Sequence, residues 1–293
     1  KRMHRLSTLD QNCLILREKN AFPLYELMLL DNDIPYNLNK NASFVFHKPV
    51  ALLIGYLLVA SKQCISTLPL NLQTTIIKSM LYTPYPQTQP EIAHWLMSRL
   101  PSDAFEVMTT LKSNTHDNCA LGNIPIISQM ITSAFTPDSL VSDILTAMHG
   151  YKCFNPLFNS TSAILNHSAL SQVRLFNFFK SNKMSVTRLF KLIIKSTQQN
   201  IYDLNGIQLI TMHEAKGSQY KNVFLGGLVD GIIPLIRTEE DKSASAIEAE
   251  KRLFYVAITR TIKKLTLLCP VDNGNTTSNI PYTTSRFIDL LTN

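Results

Sequence analysis

An α/β domain interrupted by a mostly helical insert is the architecture this sequence predicts, and three observations carry it. Short apolar runs of strand character alternate with amphipathic helical stretches at both ends of the 293-residue chain. From about residue 62 to 200 the strand signals weaken, and helical segments punctuated by Pro-rich and polar patches take over. Charge divides the same way. Residues 61–200 carry eleven Lys/Arg against six Asp/Glu, so +5 of the formal +7 falls in the middle, whereas residues 201–293 are balanced at ten against ten. At roughly 150 residues per domain the length also suggests two domains.

The elements follow in order. Asn12 to Arg17 reads as a buried strand, four apolar residues closed by a charge. Ala21 to Asp31 places Leu24, Leu27, Met28 and Leu30 at helical spacing, with Pro23 tolerated in the first turn. Ile34-Pro35-Tyr36 is extended, and Pro49 to Ala60 is a second, largely buried helix with proline at its start. In the middle, Pro84–Pro90 forms a breaker patch between helical segments at Glu91–Arg99, Ser139–Met148, Ala169–Ser181 and Ser185–Ser196. Strands return at Ile207–His213 and Val223–Gly227. A helix follows over Glu248–Thr261 with Leu253, Phe254, Ala257 and Ile258 on one face, then a strand at Lys264–Cys269 and a closing helix at Ser285–Leu291.

Composition narrows the function classes. The longest apolar run, Val50 to Ala60, is far short of the roughly 20 residues of a membrane span, so no membrane partner is expected. No apolar stretch follows Lys1-Arg2-Met3-His4 as a signal peptide would require. Five scattered cysteines, at 13, 64, 119, 153 and 269, form no Cys-x-x-Cys pair. A disulfide framework and a metal site are therefore not expected, and a cytoplasmic location is.

Three segments carry chemistry: residues 207–234, 248–268 and 285–291. A strand ending in Thr211 and His213, followed by Lys216-Gly217, is expected to set polar groups and pliable backbone at a strand's C-terminal edge, where open α/β sheets bind ligands. Five of the nine glycines fall within residues 206–231, and Gly226, Gly227 and Gly231 permit tight turns in the next loop. Arg260 lies near the end of a helix whose other face is apolar, which leaves it free to face an anion. Taken singly, each has a plainer reading: strand-end polarity, a turn, a solvated arginine. Their joint order and spacing is what points to function.

That joint pattern resembles the C-terminal half of superfamily 1 DNA helicases of the UvrD/Rep/PcrA type. Thr211, His213, Lys216, Gly217, Ser218, Gln219 and Tyr220, then Val223–Leu225 and Gly231-Ile-Ile-Pro234, follow the family's motif V. Glu248, Glu250, Lys251, Arg252, Leu253, Tyr255, Val256, Ala257, Thr259 and Arg260 follow motif VI, with Thr261 in place of its final alanine. Arg17 to Tyr36 resembles the family's segment ending in Ile-Pro-Tyr. The likeness covers about 1–60 and 205–293. It implies a RecA-like parallel-sheet domain of the P-loop NTPase type, domain 2A, in two parts (1–62 and 204–293), with a helical 2B-like insert at 63–203.

The resemblance also implies roles. Arg260 would be the catalytic arginine finger on the γ-phosphate of ATP, since a permanently charged fork suits the transferring phosphoryl group. Gly217 and Gln219 would lie at the nucleotide, Gln219 replacing the family's usual ribose-binding glutamate. Thr211 and His213 would touch single-stranded DNA through phosphate or sugar. Two departures stand out: His47 and Pro49 occupy positions where the family has Arg and Glu, and no Gly-Ile-Gly hairpin occurs in 61–200.

A further absence is larger. No G-x-x-x-x-G-K-[ST] loop occurs anywhere in the chain. ATP and Mg²⁺ are therefore expected to be held mainly by an N-terminal RecA-like domain of the same protein, and this chain alone to be inactive. Between Ser171 and Gln199 lie Arg174, Lys180, Lys183, Arg188, Lys191 and Lys195 without an acid, interleaved with Phe176, Phe178, Phe179 and Phe190. Lys183, Arg188 and Lys191 are candidate DNA-binding residues; the competing reading makes the phenylalanines core and the charges a solvated face. The function expected is the C-terminal portion of an ATP-dependent 3′–5′ DNA helicase or translocase acting on single-stranded DNA and its junction with duplex. The alternative is a non-catalytic module that binds DNA or a partner.

Overall fold

The structure, a computed structural model, describes residues 9–39, 42–82, 89–110, 122–149, 175, 177–198, 206–269 and 283–291. The chain forms two compact units: one from the described residues up to Ala42 and from Gly206 onward, the other from the residues between Ser43 and Gln198.

The first unit is built on a five-stranded sheet in the order β2-β3-β1-β4-β5, with every pairing parallel. The strands are β1 (Asn12–Leu16), β2 (Tyr36–Asn37), β3 (Ile207–Thr211), β4 (Tyr220–Gly226) and β5 (Thr261–Leu268). β1 is central and buried at all five positions, which is why it reads as an unbroken apolar run rather than an alternating one. Helix α1 (Phe22–Asp31) connects β1 to β2 and carries Pro23 in its first turn, where a missing N–H costs nothing. Gly226 ends β4 without a side chain because a Cβ there would lie 2.7 Å from Leu16 Cδ2 and 3.0 Å from the Tyr25 hydroxyl of α1. One core holds Cys13, Ile15, Val223 and Leu225 from the strands together with Phe254, Ala257 and Phe287.

The second unit is helical throughout its described residues. Its helices are α2 (Lys48–Ser61), α3 (Leu70–Tyr82), α4 (Pro90–Met97), α5 (Pro101–Thr110), α6 (Ile124–Ala134), α7 (Val141–His149) and α8 (Val186–Gln198). The expected α/β parallel sheet and helical middle are thus both present. Arg174, Phe176, Cys119, Cys153, most of Pro84–Pro90 and most of Ala169–Ser181 lie outside the described residues.

Three expectations need correction. The helix α2 was assigned with the strands, in a first segment ending at 62, but it packs with α3, α6 and α8, and the two units divide at 42/43. A helix apolar on all sides must be covered on all sides, and only other helices do that here. Gly55 lets α3 approach, since a Cβ there would meet Met80 Sδ at 2.6 Å. Next, the helix expected over Glu248–Thr261 is α9 (Ala244–Ile258), capped by the Ser243 hydroxyl, which accepts from the Ala246 N–H, and ended ahead of Arg260. Last, the closing helix at Ser285–Leu291 is only a single 3-10 turn at Asp289–Leu291. The segment before it is pinned: the Ser285 N–H donates to the Leu228 carbonyl at 3.1 Å, its hydroxyl donates to the Ile233 carbonyl, and Phe287 fills the core 5.4 Å from Phe254.

Candidate nucleotide and nucleic-acid sites

The turn between β3 and β4, residues 212–219, organises the first unit's polar residues. Met212 and Ala215 are buried in the core and anchor it, which turns His213, Glu214, Lys216 and Gly217 outward. The Met212 N–H donates to the Leu16 carbonyl at 2.9 Å, extending the β1–β3 pairing by one step. Four residues on, the Ala215 N–H donates back to the Thr211 carbonyl at 3.0 Å and coils the turn.

This turn joins the two edges of the sheet. Thr211 pairs with Leu16, the last residue of β1, at the C-terminal edge of the sheet. Tyr220 pairs with Thr261, the first residue of β5, at the N-terminal edge. Thr211 and His213 therefore sit at one edge and Gln219 and Arg260 at the other, with Gly217 in the coiled turn between them. At about 3.3 Å per strand residue the two edges are on the order of 15–20 Å apart. β3 and β4 run parallel on either side of β1, so the turn that joins them runs back along the sheet and carries the chain from the C-terminal edge at Thr211 to the N-terminal edge at Tyr220.

At the C-terminal edge Thr211 is buried and its hydroxyl is committed. It donates to Glu214 Oε2 at 3.0 Å and accepts from the Glu214 N–H at 3.2 Å, while the Thr211 N–H donates to the same carboxylate at 2.9 Å. Lys19 Nζ lies 2.9 Å from Glu214 Oε1. Burial pushes the Glu214 carboxyl up, but the Thr211 N–H, the Lys19 ammonium and the Thr211 hydroxyl outweigh it and hold the group below the usual carboxylate range. His213, next to it, is exposed. The side chain available at this edge is His213, and Thr211 holds the turn that presents it.

Three consecutive residues after β1 anchor this edge, and the sequence reading missed their partners. Arg17 is bidentate on Glu250 of α9, at 2.9 Å from Nε and 2.6 Å from Nη2, and Glu250 also accepts the Leu235 N–H at 2.9 Å. Glu18 pairs with Arg237, and Lys19 with Glu214. The only local cue was an Arg-Glu-Lys triplet at a strand's end; its partners lie some 200 residues away.

At the N-terminal edge Arg260 is half-buried and follows α9 directly. Its Nε donates to the Val256 carbonyl at 2.9 Å, its Nη2 to Thr259 Oγ1 at 3.1 Å, and its Nη1 to the Ser218 carbonyl at 3.4 Å. The Tyr220 N–H donates to the Arg260 carbonyl at 2.9 Å, fixing the backbone here to the start of β4. Gly217 has φ +87°, a conformation glycine adopts at no steric cost, and Gln219 is exposed beside it. Tyr220 is hydrogen-bonded to Cys13 and Ser218; burial pushes both the Cys13 thiol and the Tyr220 phenol up, so neither ionises near neutrality. Among the described residues no group of three or more His, Cys, Asp or Glu side chains is placed to hold a metal ion.

In the helical unit Lys183, Arg188 and Lys191 are all exposed, as are Lys180 and Lys195. Lys183 has φ +45° in the turn before α8. The opposite face of α8 buries Val186, Leu189, Phe190, Leu192 and Ile193, and Phe179 is 1% exposed. Phe179 and Phe190 are therefore core and Phe178 is half-buried, while the cations, with no Asp or Glu in the sequence from 171 to 199, are exposed to solvent. His47 begins α2; burial holds its imidazole below the usual histidine value.

Comparison with known proteins finds likenesses to DNA helicases over parts of the chain. Residues 154–270 match the family model of the UvrD-like helicase C-terminal domain. The chain is 23% identical over 260 residues to the ATP-dependent DNA helicase Rep of Buchnera aphidicola, covering 83% of this chain and 39% of that protein. It is 45% identical over 85 residues to the ATP-dependent DNA helicase PcrA of Leuconostoc citreum, 28% of this chain and 11% of that protein. Against DNA helicase II of Haemophilus influenzae it is 30% identical over 139 residues, 38% and 19% respectively. The chain thus spans two fifths or less of the length of these relatives. No helix among the described residues is long and apolar enough to cross a membrane.

Proposed function

We infer that this chain, which is similar over residues 154–270 to the UvrD-like helicase C-terminal domain, works as part of an ATP-dependent 3′–5′ DNA helicase or translocase, its sheet unit being a RecA-like 2A domain and its helical unit a 2B-like insert. The observation that carries the reading is the placement of Arg260 and His213 at opposite ends of one turn. Arg260 contacts the Ser218 carbonyl at the end of that turn, and Glu214 clamps its start. A shift of Arg260 toward a phosphate would release Ser218, and the turn would transmit the displacement to His213.

In this reading Arg260 leaves the Ser218 carbonyl and turns its guanidinium to the γ-phosphate of ATP. There it stabilises the charge on the transferring phosphoryl group, an effect worth on the order of 10³–10⁵ in rate. Gly217 gives the nucleotide close access to backbone, and the Gln219 amide offers a donor and an acceptor to the ribose. ATP and Mg²⁺ are held mainly by an N-terminal RecA-like domain, since no G-x-x-x-x-G-K-[ST] loop occurs in this sequence to cradle the phosphates. Thr211 keeps the turn in place, and His213 meets a phosphate or sugar of single-stranded DNA near its junction with duplex. Lys183, Arg188 and Lys191 add phosphate contacts from the helical unit.

The deciding experiment compares this chain alone with a protein in which an N-terminal ATP-binding domain precedes it. The chain alone is expected to show no steady ATP hydrolysis. The longer protein is expected to hydrolyse ATP when single-stranded DNA is present and to lose that activity at least a thousandfold, as an order of magnitude, on Arg260→Ala. Steady turnover by this chain alone, or an active Arg260→Ala enzyme, overturns the reading.

A further inference from the structure

Trp95 is the single tryptophan of the chain, and it is not in the core. It lies on α4 with 45% of its surface exposed, and Leu100, in the turn that follows, is 67% exposed. Arg99 folds back over the indole, its Cζ 4.0 Å from the ring centroid. Such a cation–π contact holds the guanidinium over the ring, and Arg99 is itself exposed, so N–H groups remain open to solvent. No carboxylate lies within ion-pair distance of Arg99 among the described residues. Its acidic neighbours in sequence are placed otherwise, Glu91 two turns back along α4 and Asp103 accepting the Ser102 hydroxyl at 3.2 Å. His94 is exposed beside Trp95.

We propose that Trp95 and Arg99 form a stacking site for single-stranded nucleic acid on the helical unit, Trp95 and the Arg99 plane taking a base and the Arg99 N–H edge taking its phosphate. Two features favour that occupant. The guanidinium already lies on the indole at about the spacing of stacked rings, so an unpaired base extends an existing stack while the fork stays available for an adjoining phosphate. The sequence from 43 to 199 also carries twelve Lys/Arg against six Asp/Glu, nearly all of the chain's excess, which draws a polyanion to this unit. A duplex fits poorly, because paired bases keep their faces stacked on one another. Leu100 adds an apolar contact for a base or sugar.

The inference rests on the reading that the chain handles DNA, and the test keeps the two apart. The whole chain is titrated with an oligothymidylate while two signals are followed: the anisotropy of a dye on the oligonucleotide, and tryptophan emission excited where tyrosine does not absorb. With one tryptophan, the second signal reports on Trp95 alone. Saturable quenching that parallels the anisotropy is expected, reversed by salt and absent with a blunt duplex. Trp95→Leu is expected to weaken binding by about tenfold, Trp95→Phe to restore most of it, and Arg99→Gln to weaken it while lowering its salt dependence. Both positions are exposed, so unchanged thermal unfolding of the variants checks that they still fold. Anisotropy that reports binding while tryptophan emission stays constant overturns this site and leaves the DNA reading standing. Absence of binding by either signal overturns both. Quenching by an acidic protein but not by the oligonucleotide makes the patch a protein contact and likewise overturns the proposal.

Discussion

Arg17, at the end of β1, holds Glu250 of α9 in a bidentate ion pair, at 2.9 Å from Nε and 2.6 Å from Nη2, across 233 residues of sequence. The two side chains are only 11% and 15% exposed, and Glu250 also takes the Leu235 N–H. The pair ties the helix that leads to Arg260 to the centre of the sheet. Removing one partner from such a buried pair leaves the other charge unpaired. Arg17→Met is therefore expected to destabilise the chain by about 3 kcal/mol, read from the urea midpoint. A double change of Arg17 and Glu250 to apolar residues should cost less than the two single changes together.

The Glu214 carboxyl is held below its ordinary value in the folded chain, so it contributes stability above its unfolded value and loses that contribution as pH falls through the folded one. Urea unfolding followed from neutral to acid pH should therefore show a smaller loss of stability for Glu214→Gln than for the wild-type chain. An identical acid limb in the two would refute the assignment. Thr211→Val, which removes the hydroxyl contact, should reduce the same limb in part.

Gly226→Ala places a methyl group 2.7 Å from Leu16 Cδ2 and 3.0 Å from the Tyr25 hydroxyl. Overpacking between a central pair of strands and α1 is expected to cost about 1–3 kcal/mol, visible as a lower midpoint with unchanged denaturant slope.

Phe287 is 3% exposed and packs on Phe254 of α9, and it holds the stretch after residue 283 together with the Ser285 hydrogen bonds and the bidentate Arg286–Asp230 pair. Phe287→Ala should cost about 3–5 kcal/mol in thermal or chemical unfolding. Leu291→Ala, at a position 42% exposed, should cost little.

On the cationic stripe, replacing Lys183, Arg188 and Lys191 by Glu is expected to abolish binding of the chain to DNA at moderate salt, and the parent chain's affinity should fall steeply with salt concentration. A shallow salt dependence and an unaffected triple variant would leave the stripe as a solvated helix face.

The sequence by itself was enough for the α/β ends, the helical middle and the residues of both motifs, because each of these is written in short-range pattern; that the sheet is parallel was implied only by the family resemblance. β1 could be read from four apolar residues in a row, α8 from its spacing of apolar positions, and the turn after β3 from its glycine; α1 was legible as a helix, but of the face read for it Leu27 and Leu30 are buried while Met28 is exposed. The tertiary structure decided what depends on distant contacts. It placed α2 with the helices that follow it and not with β1, α1 and β2 that precede it. It parted Thr211 and His213 from Arg260, because a parallel strand order sends the connecting turn from one edge of the sheet to the other. It also supplied Glu250, Arg237 and Glu214 as partners for Arg17, Glu18 and Lys19. Such ion pairs leave no period in the sequence, since their geometry exists only once the strands have been paired and α9 has packed on them.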